Sequence, residues 1–309
     1  MPVGSACGKI ILFGEHAVVY GRPALAVPLS QIRARATVVA RAKDGIVIHA
    51  RDLGRDIVVN DALVEDALAA ITRLTLEKHG AAENLDITVE SDIPLASGLG
   101  SGAAISTAIV RALSTYFEKV LAPAEISALV YETEKMYHGT PSGIDNTVIA
   151  YEQAVRFRRG TPLPEITPFQ IARPFTLVIA NTGIASPTKI TVGDVRRGWE
   201  QEPARYEKIF DNIAAIVEQA QEALARGENE MLGELMTLNQ RELVALGVSS
   251  REIENLLEAG LRAGAGGGKL SGGGRGGNVI FYVEEERAEE VRRAVLEAGA
   301  AGVILTRVV

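Results

Sequence analysis

The chain has 309 residues, a length that suggests about two domains. Hydrophobic residues make up 47% and charged residues 23%, so the chain can bury sizeable cores and is not expected to be disordered. A net charge of −7 argues against nonspecific nucleic-acid binding, which needs a basic surface. The single cysteine, Cys7, excludes an intrachain disulfide and fits the reducing cytosol, and no apolar run reaches the ~20 residues of a membrane span.

Hydrophobic periodicity places strands and helices along the first half of the chain. Short apolar or Val-rich runs predict strands at residues 9–13, 34–40, 45–50 and 85–90. Apolar residues at helical spacing predict helices at residues 60–79, 99–117 and 123–137. Residues 160–174 contain four prolines, which regular helix does not tolerate, so this segment is predicted to be a linker.

The second half mixes the two element types without strict alternation. Strands are predicted at residues 175–180, 279–283 and 302–309, and helices at residues 206–225, 230–246, 250–263 and 286–298. This order predicts an α+β protein of two domains, residues 1–170 and 171–309.

A small-residue segment at residues 94–104 runs into the predicted helix at 99–117. Its backbone N–H groups can approach a ligand closely, and a helix N-terminus carries about half a positive charge, so the segment suits phosphate. A tight turn that packs the helix on a sheet is the alternative. The segment is neither a Walker loop nor a Rossmann fingerprint, because it lacks the Gly-Lys-Ser/Thr and the acidic residue that those motifs need.

A second glycine-rich stretch covers residues 264–277, with nine glycines in fourteen residues. A flexible linker is one interpretation. Close backbone approach to a substrate or phosphate is favoured, because the stretch lies between a predicted helix and a predicted strand and not between domains.

Charged residues mark two further segments. Residues 134–146 end a predicted helix and enter a small-residue loop that contains Asp145. Asp145 is either a turn residue or, if the two glycine-rich segments bind anions, a base or metal ligand. Glu134 could bind a divalent cation through a hard carboxylate oxygen. Lys9 begins an apolar strand, and a buried lysine needs a charged partner, for which Asp145 is a candidate. His16 follows that strand and is either a functional histidine or a capping or core histidine.

These segments, in this order, resemble the GHMP kinase superfamily and, within it, the mevalonate kinases. The resemblance rests on residues 7–21, 94–104, 138–146, 239–249 and 269–277. It implies a ribosomal-protein-S5-like N-terminal domain and a ferredoxin-like C-terminal domain. It also implies ATP and Mg²⁺ as cofactors, mevalonate as substrate, and a cytoplasmic enzyme of isoprenoid biosynthesis; a homodimer is an open alternative to a monomer.

The resemblance also implies roles for individual residues. Asp145 resembles the catalytic base, Lys9 the lysine that pairs with it, and Glu134 the Mg²⁺ ligand. Glu15, His16 and Thr188 match positions at the mevalonate pocket. Two loops match the phosphate-binding segments, with the residues Pro94, Ser97, Gly98, Leu99, Gly100, Ser101, Gly102 and Ala103 in the first and Gly272, Gly273 and Gly274 in the second.

Two departures from the family pattern bear on function. Gly102 stands where a serine usually binds Mg²⁺, and Arg275 stands where glycine is usual, either as a phosphate contact or facing solvent. Other readings stay open: phosphomevalonate kinase, mevalonate 3-kinase, homoserine kinase, galactokinase, diphosphomevalonate decarboxylase, or a catalytically inactive ligand sensor on the same fold.

Overall fold

A computed structural model describes residues 1–63, 66–94, 97–138, 142–160, 164–186 and 188–309. The chain divides into two compact units, the first Met1–Lys9 with Pro28–Glu152 and the second Ile10–Val27 with Gln153–Val309. Each unit is built from two separate stretches of sequence, whereas the predicted domains, residues 1–170 and 171–309, are continuous. The predicted domain boundary near residue 170 stays a prediction. Within the described residues, none of the helices combines the length and apolar character needed to cross a membrane.

The first half of the chain contains five strands and four helices among its described residues. Their bounds are β1 Val3–Phe13, β2 Pro23–Ala40, β3 Ile46–Ala50, β4 Arg55–Val58, α1 Ala67–His79, β5 Leu85–Ser91, α2 Ser101–Tyr116, α3 Pro123–His138 and α4 Ile144–Tyr151.

A mixed sheet and its covering helices form the first unit. Residues 34–40 of β2 pair antiparallel with β5, β5 pairs parallel with β3, and β3 pairs antiparallel with β4. Ala34, Ala36 and Val38 are fully buried at alternate positions of β2, as expected for a strand with one face on a core. Helix α1 begins seven residues later than predicted, because the side chain of Asp66 caps it by accepting hydrogen bonds from the N–H groups of Leu68 and Ala69.

The described part of the second half contains six further strands and five helices. Their bounds are β6 Val155–Arg158, β7 Glu165–Pro168, β8 Phe175–Asn181, α5 Thr188–Gln201, α6 Pro203–Arg226, α7 Glu230–Ala245, α8 Arg251–Arg262, β9 Gly267–Ser271, β10 Asn278–Val283, α9 Ala288–Glu297 and β11 Gly302–Val308.

An antiparallel sheet in the order β11–β8–β10–β9 is the centre of the second unit. Two predictions need correction here. The glycine-rich stretch at 264–277 is not a flexible linker throughout, since Gly267–Ser271 form strand β9, paired with β10. The predicted linker at 160–174 contains strand β7, which pairs with β6 and ends at Pro168, a position that a strand tolerates; residues 161–163 of that linker lie outside the described residues.

Candidate active site

The predicted phosphate loop leads directly into helix α2. Gly98 and Gly100 have φ values of 78° and 77°, which favour glycine, and Gly100 is the N-cap of the helix. The first intrahelical hydrogen bond runs from the N–H of Ala104 to the carbonyl of Gly100, at 2.9 Å. The N–H groups of residues 101–103 precede that bond, so they and the helix dipole favour an anion at this point. Residues 95–96 of the loop lie outside the described part.

The loop packs directly against Lys9. A Cβ atom at Gly100 would lie 3.0 Å from Cγ of Lys9 and 2.8 Å from Cδ1 of Ile149, so no larger residue fits without displacing them. The backbone N–H of Lys9 also donates to the carbonyl of Leu99 at 2.9 Å. Glycine is therefore required at position 100 by both its conformation and the space, and the phosphate loop and Lys9 form one structural element.

Lys9 and Asp145 form the ion pair that the sequence suggested. Lys9 is 5% exposed, and its Nζ lies 2.8 Å from Oδ1 of Asp145. The sequence predicted a loop around Asp145, and this prediction is wrong. Asp145 lies in the first turn of α4, after Gly143, which has a φ of 91°. The N-terminal turn of α4 and the ion pair with Lys9 together fix the position of this side chain. Residues 139–141, part of the same predicted loop, lie outside the described chain.

A second carboxyl group lies near this pair. Glu134 on α3 is 4% exposed, and its pKa is raised to about 7 by burial and by the charge of Asp145, against the opposing charge of Lys9. The neighbouring Lys135 pairs instead with Glu132, at 2.7 Å. The first unit thus brings together the three charged residues that the sequence singled out, Lys9, Glu134 and Asp145.

A polar network fixes helix α4, and the sequence analysis did not anticipate it. Asn146 donates from Nδ2 to the carbonyl of Ser127 at 3.1 Å and to its hydroxyl at 2.8 Å, which ties α4 to α3. Arg111 on α2 donates to the carbonyl of Ala150 at 2.9 Å and pairs with Glu152, which also binds Arg33 at 2.7 Å. Helix α4 is therefore held at both ends, which keeps the carboxylate of Asp145 in place.

The second unit contains the other predicted substrate residues, and here Glu15 has a buried partner. Glu15 is 1% exposed and forms an ion pair with Lys269 of β9, which is fully buried. Nζ of Lys269 also donates to the carbonyl of Leu270 at 2.7 Å. Lys269 was not among the predicted site residues; its only signal in the sequence is a lone charge between glycines and an apolar residue.

His16 occupies a strained backbone conformation. Its φ and ψ are 61° and −49°, and the N–H of Ala17 donates to the carbonyl of Glu15 at 2.7 Å. This combination defines a classical γ-turn centred on His16, a rare conformation for a residue with a side chain. Nε2 of His16 lies 3.1 Å from the carbonyl of Gly273, and because a carbonyl only accepts, Nε2 carries the proton. Burial lowers the pKa of His16 to about 4, and the charges of Arg275 and Lys269 contribute to the shift.

We expect stability to depend on pH through His16. Its folded pKa of about 4 lies below its unfolded value of 6.5, so the unfolded state binds more protons and stability is lost as pH falls from 6.5 towards 4. The loss attributable to His16 is on the order of 3 kcal/mol at the acidic end, since one pKa unit corresponds to about 1.4 kcal/mol. Urea unfolding of wild type and His16→Gln across this range measures it.

The difference in unfolding free energy between wild type and His16→Gln separates the contribution of His16 from that of the carboxylates that titrate in the same pH range. His49→Gln is the control, because Asp56 and Asp86 raise the pKa of His49 and its contribution has the opposite sign. Parallel loss of stability in wild type and His16→Gln would contradict the expectation.

The C-terminal glycine loop is fastened to its surroundings at several points. A Cβ atom at Gly273 would lie 2.5 Å from Oγ1 of Thr188, and the hydroxyl of Ser186 donates to the carbonyl of Gly274 at 2.8 Å. Thr188 is the exposed first residue of α5. The glycines at 272–274 therefore place the predicted loop and Thr188 side by side.

Arg275 holds this loop to the rest of the second unit. Its guanidinium pairs with Asp194 on α5 and donates to the carbonyl of Gly247 at 3.1 and 3.2 Å. Its backbone N–H donates to the carbonyl of Val248 at 2.8 Å. The hydrogen bond and charge of Arg275 lower the pKa of Asp194. Arg275 is thus committed to protein partners, and its function in this structure is to tie the loop to α5 and to the turn after α7.

Known proteins match this chain along most of its length. The family model described as the GHMP kinases N terminal domain matches residues 63–153, and that described as GHMP kinases C terminal matches residues 220–301. Mevalonate kinase of Thermococcus sibiricus is 32% identical over 292 residues, which cover 87% of this chain and 85% of the relative. Mevalonate kinase of Pyrococcus horikoshii is 34% identical over 293 residues, which cover 87% and 84%. The chain belongs to the mevalonate kinases of the GHMP kinase superfamily.

The structure of this GHMP kinase agrees with the assignment. The crystal structure of L. major mevalonate kinase in complex with R-mevalonate superimposes with a TM-score of 0.88 at 28% identity, covering 100% of this chain and 96% of that one. The predicted α+β fold, with a ribosomal-protein-S5-like and a ferredoxin-like domain, is confirmed. The chain is a kinase, while the roles of its individual site residues stay predictions.

Proposed function

We propose that this kinase transfers the γ-phosphoryl group of ATP to the primary hydroxyl of mevalonate, which yields 5-phosphomevalonate and ADP. The observation that carries the proposal is the Lys9–Asp145 pair, packed against the phosphate loop that opens α2. The names of the relatives, together with the mevalonate in the L. major structure, support the choice of substrate. A cytoplasmic location belongs to the same proposal, and a homodimer stays a prediction.

In this reaction Asp145 is the general base. The hydroxyl oxygen of mevalonate forms a bond to the γ-phosphorus, the bond from that phosphorus to the bridging oxygen of ADP breaks, and the hydroxyl proton passes to Oδ of Asp145. Lys9 holds the carboxylate in position and balances the charge as the proton moves. Because phosphoryl transfer needs alignment more than covalent help, the N–H groups at the start of α2 contribute by holding the phosphates.

His16 and Thr188 are the residues of the second unit that we propose to bind mevalonate. The γ-turn fixes the direction of the His16 imidazole, and the glycine loop at 272–274 positions Thr188. A neutral imidazole with a proton on Nε2 keeps Nδ1 as a hydrogen-bond acceptor, which suits a substrate hydroxyl.

The residues near Asp145 fit a magnesium ion. Glu134 is a buried carboxyl group whose pKa is raised by burial and by the charge of Asp145, so a cation there would relieve the repulsion. Among the described residues, no group of three or more His, Cys, Asp or Glu side chains is arranged as a metal site. Mg²⁺ is commonly held by one or two carboxylates, substrate phosphates and water, and Glu134 is one such carboxylate. When bound, Mg²⁺ supplies charge neutralisation to the phosphate oxygens; Glu134 would hold it.

We expect Glu134→Gln to raise the Mg²⁺ concentration needed for half-maximal rate by ~10-fold or more, because the variant removes a charged ligand. Gly102→Ser is expected to keep activity and to lower the requirement, since a helix N-terminus accepts serine well. Rate is measured against Mg²⁺ concentration for both variants. Glu132→Gln is the matched control, because Glu132 lies two residues earlier on α3 and is exposed. If the dependence of rate on Mg²⁺ concentration is unchanged in Glu134→Gln, Glu134 is not the Mg²⁺ ligand.

The proposed function is tested by coupled ADP release with mevalonate, ATP and Mg²⁺, for which turnover of ~1–100 s⁻¹ is typical of kinases. Phosphomevalonate, homoserine and galactose form the comparison panel, and faster turnover with one of these would identify another GHMP activity. Turnover at background with every substrate would indicate an inactive sensor. The ³¹P signal of the product separates phosphorylation sites, because a phosphate on the C5 methylene couples to two protons and one on the tertiary C3 oxygen does not.

A further inference from the structure

The buried pair of Glu15 and Lys269, called the anchor pair below, joins two segments that are remote in sequence. The two residues are 254 positions apart, and both are almost completely removed from water. Burying two charges is unfavourable unless they are paired and hydrogen-bonded, and Lys269 meets this need with Glu15 and with the carbonyl of Leu270. A charge pair in this position calls for an explanation beyond stability, since apolar residues of similar size would pack there as well.

Other links connect the same two segments. Nε2 of His16 donates to the carbonyl of Gly273 at 3.1 Å, and the hydroxyl of Ser271 donates to the carbonyl of Ile11 at 2.8 Å. In the first segment Glu15 lies between Ile11 and His16, and in the second Lys269 precedes both Ser271 and Gly273. Strand β1 with its following turn and strand β9 with its following loop are therefore linked at three points.

The anchor pair is also adjacent to the backbone strain. Glu15 immediately precedes His16, and the carbonyl of Glu15 accepts the γ-turn hydrogen bond from Ala17. A strained turn persists only where the surrounding contacts fix it. Glu15 is fixed by its side chain through Lys269, and the turn that follows is fixed by Tyr20, whose ring stacks on Phe210 with centroids 4.2 Å apart.

We infer that Lys269 and Glu15 are positioning residues, whose ion pair holds the strained turn that orients His16 and keeps the glycine loop at 272–277 against it. Glu15 then acts through Lys269 and not as a direct contact to the substrate. The inference rests on the proposed function only for the identity of the substrate, mevalonate.

The test compares Lys269→Met, Glu15→Met and the double variant. Each single variant removes one charge of the buried ion pair and is expected to lose stability, to the point where it fails to fold. The double variant removes both charges, keeps the volume and is expected to fold. If the pair positions His16, the double variant has a KM for mevalonate raised ~10–100-fold, the range expected for a misplacement near 1 Å, while kcat and the KM for ATP change little. Arg156→Met with Glu218→Met is the control, because that pair lies in the same unit on β6 and α6.

A second readout does not depend on turnover. In ¹⁵N-labelled wild type, the buried Nε2–H of His16 gives a slowly exchanging proton signal, assigned by its loss in His16→Gln. We expect this signal to disappear in the double variant and to persist in the control. If the signal responds in this way but the wild type does not phosphorylate mevalonate, the positioning inference stands and the proposed function fails.

Two results would overturn the inference. One is a folded double variant with wild-type KM and an intact His16 signal, which would make the pair purely structural. The other is a folded double variant whose KM for mevalonate is raised while the His16 signal is intact, which would show that Glu15 binds the substrate directly and does not position His16.

Discussion

Replacing Asp145 by asparagine is expected to lower kcat by ~10²–10⁴-fold, the contribution typical of a general base. The amide cannot accept the proton of the substrate hydroxyl, while it keeps the size of the carboxylate. Helix α4 should persist, because Asn146, Arg111 and Glu152 hold it through contacts that do not involve Asp145. Steady-state kinetics with mevalonate, together with a thermal unfolding curve, measure both effects.

Asp86→Asn is the matched control for this variant. Asp86 pairs with Arg41 at 2.6 Å, and its side chain is 25% exposed against 27% for Asp145, so the same chemical change breaks a comparable ion pair on strand β5. The control should keep its kcat. A near-wild-type kcat for Asp145→Asn would show that Asp145 is not the base.

The second large effect is expected from Lys9→Met, which should lower kcat by ~10²–10³-fold and change the KM for ATP much less. Lys9 balances a carboxylate whose charge changes during proton transfer, so its contribution is greatest in the transition state. Its loss also removes the positive charge that opposes the repulsion between Glu134 and Asp145, which raises the pKa of Glu134 further. Separate kcat and KM values for both substrates decide the point.

Lys78→Met serves as the control for the lysine substitution, since Lys78 forms an exposed pair with Glu125 at 2.9 Å on helix α1. A defect confined to the KM for ATP would assign Lys9 to nucleotide binding and contradict its pairing role in catalysis.

Local patterns predicted the parts of this fold that depend on neighbours in sequence. Helix α2 and strand β10 were predicted to within a few residues, because apolar spacing and the flanking glycines carry the information. The pairing of Lys9 with Asp145 was predicted because a lysine at the start of an apolar strand needs a counter-charge. Helix α4 was missed, since its small residues and the preceding glycine read as a loop.

Contacts between distant residues could not be read from such patterns. Lys269 lies among glycines and its partner Glu15 is 254 residues away, so no local spacing connects them. No local pattern pointed to Arg111 and Glu152, whose ion pair joins helix α2 to the C-terminal end of α4. For Arg275 the sequence allowed either a phosphate contact or exposure to solvent, and only the fold shows that its partners are Asp194 and Gly247.

The discontinuity of the second unit has a consequence for biosynthesis. Ile10–Val27 leaves the ribosome early, yet it belongs to a unit whose remaining residues begin at Gln153. At ~5–20 residues per second, Lys269 is synthesised roughly 10–50 s after Glu15, so their ion pair cannot form during that interval. The second unit therefore cannot be completed until translation is nearly finished, and a fragment that starts at residue 171 would have to bury Lys269 in the absence of Glu15.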